Sequence, residues 1–108
     1  MSNWSNWTGL ADATERARLS RLFEIPPRED RDSLRPGDYA KVIFETSEEY
    51  MPGLEWGERM WLLVESKTEG GCYLGTLTNI PVIVTGIEQG DSVEFGAENV
   101  IDIIRGKA

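Results

Sequence analysis

Five glutamates in the middle of the chain carry the side chains best suited to chemistry. They are Glu45, Glu48, Glu49, Glu55 and Glu58. Their carboxylates could bind a hard cation such as Ca²⁺ or Mg²⁺, or flank a sugar as general acid and general base. The spacing does not match an EF-hand loop, because the Asp-x-Asp-x-Asp-Gly order is absent. A solvated acidic loop is the favoured interpretation, with both kinds of chemistry as alternatives.

The chain contains no histidine and one cysteine, Cys72. Without histidine, Ser-His-Asp and Cys-His catalysis and the usual zinc sites are excluded. Cys72 is expected to pack at the start of a strand. The glycines form no phosphate-binding pattern. We therefore predict no catalytic residue, no metal site and no cofactor, while carboxylate-based or lysine-based enzymes stay open.

Aromatic residues near the acidic stretch offer a second kind of site. They are Tyr50, Trp56, Trp61 and Tyr73. Together they could form a ligand platform of the kind that small β-barrels use. Trp61 is interpreted as a core residue, whereas Trp56 could equally cover the core or contact a partner.

The N-terminus repeats Ser-Asn-Trp and so places Trp4 and Trp7 in a polar arm. Tryptophans are costly to leave in water. They either fold back onto the domain, which is the favoured interpretation, or dock on a partner or a second copy.

The net charge of −8 is unevenly distributed. Residues 1–35 hold six basic and six acidic residues, whereas residues 36–108 hold five basic and 13 acidic residues. This acidity disfavours nucleic acid and anionic membranes as partners. It permits a protein partner with a basic surface, or it serves solubility alone. Neither a signal peptide nor a membrane-length apolar run is recognisable, so a cytoplasmic location is expected.

A helix is predicted over residues 10–23, where Asp12 and Glu15 have the spacing of a capping box. Its apolar stripe would consist of Ala11, Leu19, Leu22 and Phe23. Pro26-Pro27 ends any helix. The charged connector 28–35 is expected to be solvated, with Leu34 anchoring its far end.

Short strands separated by turn residues are predicted over residues 38–104. Their approximate ranges are 39–45, 58–66, 72–77, 82–84, 92–95 and 99–104. Gly37-Asp38 and Gly90-Asp91 are interpreted as structural turns. The predicted fold class is α+β: an N-terminal helix followed by a small, strongly bent, mostly antiparallel sheet or partly open barrel of five to six strands. Residues 1–9 would form an arm and residues 10–108 a single domain.

Several motifs in the predicted β region resemble the DUF2314 family of small bacterial proteins. They are Gly57-Glu58-Arg59-Met60-Trp61, Gly75-Thr76-Leu77-Thr78-Asn79-Ile80-Pro81, Gly90-Asp91-Ser92-Val93-Glu94-Phe95 and Val100-Ile101-Asp102, with Phe23-Glu24-Ile25-Pro26-Pro27 and Pro36-Gly37-Asp38-Tyr39-Ala40-Lys41-Val42-Ile43-Phe44 upstream. The resemblance covers roughly residues 22–104. It implies a fold and no catalytic residue, because the family has no established activity.

The sequence favours a non-catalytic interaction or accessory module, for which an immunity protein that plugs a basic active site would be one instance. The expected contact residues are Trp4, Trp7, Glu48, Glu49, Tyr50, Glu55 and Trp56. The alternative is a small-ligand-binding or carboxylate-dependent hydrolytic domain. That alternative requires the glutamates, Glu58 included, to converge on a concave pocket.

Overall fold

The structure is a computed structural model that describes residues 6–46 and 57–106. It is built around a curled antiparallel β-sheet. Its described strands are β1 (Trp7–Leu10), β2 (Tyr39–Thr46), β3 (Gly57–Lys67), β4 (Tyr73–Leu77), β5 (Ser92–Phe95) and β6 (Asp102–Ile104). They follow the order β1-β2-β3-β4-β5, and β6 also pairs with β2. The described helices are α1 (Ala13–Leu19) and α2 (Arg28–Arg31), with a 3₁₀ turn at Ala97–Asn99. The prediction of a bent antiparallel sheet is confirmed.

The core lies on one face of this sheet. Alternate residues of the two central strands are buried there, namely Ala40, Val42, Phe44, Met60, Leu62 and Val64. Residues outside these strands complete the core, among them Leu34, Tyr73, Val84, Ile87 and Val100. Successive side chains of a strand point to opposite faces, so Lys41, Arg59 and Trp61 lie on the outer face.

Strand β2 brings the two ends of the described chain together. The first half of β2 pairs with β6, where Tyr39 lies opposite Ile104. The second half pairs with β1 on the same side of β2, where Thr46 lies opposite Trp7. Strand β3 occupies the other edge. The first and last described strands, β1 and β6, therefore lie along the same side of β2.

The prediction of an N-terminal helix over residues 10–23 is wrong in its position and length. The first element is β1, and residues 7–9 of the predicted arm belong to it. Asp12 caps the helix as its spacing predicts, since its carboxylate accepts a hydrogen bond from the Glu15 N–H at 3.0 Å. Ser20 ends the helix in an extended conformation. Leu22 is 96 % exposed, so the predicted apolar stripe does not form.

The charged connector 28–35 is exposed at six of its eight residues, as predicted, but Arg31 is an exception. Arg31 is only 6 % exposed. Its guanidinium donates to the carbonyls of Pro26 (2.9 Å) and Ala97 (3.0 Å) and to the Thr14 hydroxyl (3.3 Å). Leu34 is buried, which confirms its role as an anchor. A buried arginine is tolerated here because carbonyl oxygens satisfy its donors.

The two Gly-Asp turns have the same geometry. Gly37 and Gly90 both have φ +97°, a conformation that side chains other than glycine resist. In each turn the Asp N–H donates a hydrogen bond to the carbonyl of the residue three positions earlier, at 3.0 Å. The Asp carboxylate accepts from the N–H of that same residue, at 2.9 Å for Asp38 and 2.8 Å for Asp91. The interpretation of both as structural turns is confirmed.

Candidate functional site

Three large apolar side chains stand in solvent within the connection between β4 and β5. Ile80 is 72 % exposed, Val82 is 87 % exposed, and Ile83 is exposed as well. Val84 and Ile87, which follow them, are buried in the core and anchor the connection. Contiguous exposed apolar residues mark contact surfaces more often than isolated ones do. We call residues 80–85 the apolar loop.

One carboxylate fixes the backbone of the apolar loop. Glu58, near the start of β3, accepts hydrogen bonds from the N–H groups of Val82 (2.8 Å), Ile83 (2.8 Å) and Val84 (3.0 Å). Hydrogen bonds to a charged acceptor are stronger than those between neutral groups. The loop backbone is therefore held in place by a residue at least 24 positions earlier in the chain.

Asn6 holds the other end of the apolar loop. Its side-chain oxygen accepts from the Thr85 N–H (2.7 Å), and its side-chain nitrogen donates to the Ile83 carbonyl (3.1 Å). Its own N–H donates to the Thr85 hydroxyl (3.0 Å). Asn6 is buried, so these bonds are shielded from water. At the start of the loop, the Asn79 side chain accepts from the Trp61 N–H at 2.6 Å.

The predicted strand over residues 82–84 is wrong, and Glu58 supplies the reason. Consecutive N–H groups of a β-strand point in opposite directions along the ladder. Here three consecutive N–H groups converge on one carboxylate. Such convergence makes a concave turn that presents the side chains of Val82 and Ile83 outward.

Most of the contact residues predicted from the sequence lie outside the described residues. They are Trp4, Glu48, Glu49, Tyr50, Glu55 and Trp56. Trp7 is described, and its ring packs on Phe44 with a centroid distance of 5.3 Å. Its indole N–H donates to the Gly9 carbonyl at 3.0 Å. Trp7 is partly buried against the core, as the favoured interpretation of the arm expects.

The two residues that hold the apolar loop are close in sequence to the undescribed segments. Asn6 directly follows residues 1–5, and Glu58 lies two positions after residues 47–56. Trp7 pairs with Thr46, the residue before that second segment. The described residues that flank these two segments, Asn6, Thr46 and Gly57, therefore lie at the same end of the sheet as Glu58 and the apolar loop.

Of the five glutamates considered from the sequence, only Glu45 and Glu58 lie among the described residues. Glu58 is already engaged by three backbone donors, and within residues 6–46 and 57–106 no group of three or more acidic, Cys or His residues could hold a metal ion. Tyr73 is buried, and its hydroxyl donates to the Arg31 carbonyl at 2.9 Å, so it belongs to no surface platform. Trp61 lies half-buried on the outer face, with the Lys41 ammonium 5.5 Å from its ring centre.

Sequence reasoning missed both the apolar loop and its supports. The run Ile80-Pro81-Val82-Ile83 looks like a strand because β-branched residues favour strands. Pro81 and the following Gly86 were the available signals of a loop. Nothing local in the sequence connects Asn6 or Glu58 with this loop.

Comparison of the chain with known protein families, curated proteins and solved structures finds no match. Among the described helices, none has the length and apolar character needed to cross a membrane. The interpretation of function therefore depends on the geometry of the chain itself.

Proposed function

We propose that this protein is a non-catalytic protein-interaction module that recognises its partner with the apolar loop. The observation that carries this proposal is a surface that is both apolar and held by hydrogen bonds. Val82 and Ile83 are exposed, while their backbone N–H groups are fixed by Glu58. A surface fixed before binding loses less conformational entropy on association than a mobile one does.

The partner we propose is a protein with an apolar pocket inside a basic surface. The net charge of −8 favours association with basic surfaces. Three glutamates, Glu48, Glu49 and Glu55, fall in the segment whose ends adjoin Thr46 and Gly57. We propose that they, with Trp4, Trp7, Tyr50 and Trp56, contribute to the contact alongside the apolar loop. An immunity protein that blocks a basic active site would be one instance.

Membership of the DUF2314 family and a cytoplasmic location are part of the same proposal. The family assignment is supported by the sequence motifs quoted above.

A ligand-binding or hydrolytic domain is the second candidate, and no described residue favours it. Its carboxylate cluster would have to include Glu58, whose oxygens accept three backbone hydrogen bonds. Releasing Glu58 for catalysis would leave those N–H groups without their acceptor, which costs free energy wherever water cannot replace it.

Affinity capture from a lysate of the native host, followed by binding measurements with the purified partner, tests the proposal. The informative variant is Val82→Asp, which places a charge in the apolar contact without removing a core side chain. We expect the dissociation constant to rise at least about tenfold, because the buried apolar contact is lost. Trp7→Ala is unsuitable alone, since Trp7 packs on Phe44.

Ile104→Asp is the matched control, because Ile104 is an exposed apolar residue of β6 outside the apolar loop. It should leave partner binding unchanged. Equal binding by the wild type and Val82→Asp would refute the apolar loop as the contact surface.

A further inference from the structure

Strand β5 forms an open edge of the sheet. Among the described strands it stands at one end of the order and pairs only with β4. Its four residues pair with β4 without a register shift, whereas β1 at the opposite end of the order has a shift between Trp7 and Gly9. A shift of this kind disrupts the ladder that a further strand would extend. The regular edge of β5 is therefore the better template for an added strand.

The backbone groups of Ser92 and Glu94 point away from β4. Leu77 of β4 donates its N–H to the Asp91 carbonyl at 2.9 Å, so that carbonyl points toward β4. Successive residues of a strand direct their backbone groups to opposite sides, so Val93 faces β4 as well, while Ser92 and Glu94 face the open side. No described residue donates to or accepts from the outward N–H and C=O groups of these two residues. These groups are free to pair with a further strand.

The open stretch of the edge is short and bounded on both sides. Before it, the Gly90 N–H donates to a carbonyl of β4 at 2.8 Å. After it, the Gly96 N–H donates to the Asn99 side chain at 2.8 Å, at the start of the 3₁₀ turn. An added strand would therefore bond to the N–H and the C=O of Ser92 and Glu94. Because few backbone bonds form, charged side chains contribute strongly to the choice of strand.

The carboxylates around β5 have no basic neighbours in the sequence. Residues 68–104 contain no lysine or arginine and six acidic residues, which are Glu69, Glu88, Asp91, Glu94, Glu98 and Asp102. Those at positions 88–98 lie in β5 or beside it. None of the ion pairs within the described part of the chain includes any of the six. The negative charge beside this edge is therefore not compensated by an ion pair among the described residues.

Glu94 determines which kind of strand can be added. Its side chain is exposed and lies on the outer face, because Val93 and Phe95 on either side of it belong to the core. Charges on an edge strand oppose pairing with a like edge, so a second copy of this chain is disfavoured. A lysine or arginine opposite Glu94 would instead form a cross-strand ion pair. Charge complementarity therefore favours a basic strand.

We propose that a basic, extended segment of another protein adds to β5 as an antiparallel strand. Neighbouring strands of the described sheet are antiparallel throughout. The residues opposite Ser92 and Glu94 would exchange N–H···O bonds with them and place basic side chains on the outer face. The contact uses neither Val82 nor Ile83, so it goes beyond the contact proposed for the apolar loop.

Nuclear magnetic resonance titration of the isotope-labelled full chain with short peptides tests the proposal. Three peptides alternate lysine and valine: one is unmodified, one has N-methylated lysines, and one has N-methylated valines. In the proposed pairing the lysine N–H groups face β5, whereas the valine N–H groups face away. The unmodified and the valine-methylated peptides should bind saturably and shift the amide signals of Ser92 and Glu94. The lysine-methylated peptide should not bind there.

Glu94→Lys is the informative variant, because Glu94 is exposed and its replacement removes no core side chain. It should weaken binding of the unmodified peptide at least about threefold, since an attraction becomes a repulsion. Glu69→Lys is the matched control, because it makes the same change in net charge in the exposed turn between β3 and β4. Its effect should be small at physiological salt, which screens distant charges. Val82→Ser should leave peptide binding unchanged.

Equal binding of the two methylated peptides, or equal effects of Glu94→Lys and Glu69→Lys, would overturn the proposal by assigning the binding to net charge alone. No saturable binding of the unmodified peptide, or signals that shift only away from β5, would also overturn it. Neither result would bear on the apolar loop, which Val82→Asp tests separately.

Discussion

The Glu58 carboxylate accepts a hydrogen bond from the Ile83 N–H at 2.8 Å, across 25 positions of the chain. The same oxygen accepts from the Val84 N–H at 3.0 Å, and the other oxygen accepts from the Val82 N–H at 2.8 Å. A polar side chain at the start of a strand thus sets the shape of an exposed apolar surface. Asn6 completes this support from the N-terminal side.

Glu58→Gln should loosen the apolar loop. Glutamine offers one acceptor oxygen, and its amide nitrogen would face an N–H donor. We expect the free energy of unfolding to fall by about 1 kcal/mol, because the bonds to Val82 and Ile83 are exposed and water can partly replace the lost acceptor. Amide hydrogen exchange should accelerate at residues 82–84.

Glu94→Gln is the matched control, because Glu94 is an exposed carboxylate on β5. It should change neither stability nor exchange in the loop. If Glu58→Gln exchanges like the wild type at residues 82–84, Glu58 does not hold the loop in solution.

Arg31 is expected to be the arginine most important for stability. Its guanidinium satisfies the carbonyls of Pro26 and Ala97 in a buried setting. Arg31→Met should destabilise the fold by about 2–4 kcal/mol in urea unfolding, because these carbonyls lose their donors. Arg28→Ala should cost under about 0.5 kcal/mol, since its pair with Asp32 is exposed. Equal effects of the two variants would contradict this assignment.

Alanine substitutions at Gly37 and Gly90 would show whether a positive φ angle alone destabilises the fold when glycine is replaced. An added Cβ would meet no atom within 4 Å at either position, yet φ is +97° at both. We therefore expect Gly37→Ala and Gly90→Ala each to lower the melting temperature, at a cost of about 1–2 kcal/mol from strain. Gly70→Ala is the control, because its added Cβ also has open space and its φ lies outside that region. Unchanged melting temperatures in both turn variants would show that the strain is absent.

The sheet could be predicted from the sequence wherever apolar and polar residues alternate within a single strand. Ala40, Val42 and Phe44 alternate with more polar residues, and Gly37 and Gly90 mark turns that β2 and β5 follow. The helix could not be delimited, because the sequence of residues 7–10 gives no sign of their pairing with β2. The helix propensity of the local sequence favours a longer helix, but residues 7–10 instead form a strand because they pair with β2.

The candidate site was harder to predict than the fold. Its two supports bind distant parts of the chain. Asn6 bonds to residues at least 77 positions away, and Glu58 bonds to residues at least 24 positions away. A single sequence contains no signal for such contacts. The buried role of Arg31 was hidden for the same reason, since its acceptor Ala97 is 66 positions away.

Asp38 makes the fold sensitive to acid. Burial raises the pKa of Asp38, but the N–H groups of Arg35 and Gly106 and the Arg105 guanidinium outweigh burial and bring the pKa below its usual value. A carboxyl with a lower pKa in the folded state stabilises the protein above its unfolded pKa of about 3.9. That contribution is lost as the pH falls through the folded pKa.

Urea unfolding over a pH series should therefore show wild type more stable than Asp38→Asn at neutral pH. The difference in free energy of unfolding should shrink as the solution becomes more acidic than the unfolded pKa. A difference that stays constant throughout would mean that the charge of Asp38 does not stabilise the fold.

The apolar loop is the surface that we propose meets a partner. The most direct test places a photo-crosslinking amino acid at Val82, or at Ile104 as the exposed apolar control, and irradiates the protein in native-host cells. We expect Val82 to capture one specific protein with a basic surface and Ile104 not to capture it. Capture of the same proteins at both positions, or of none at Val82, would contradict it.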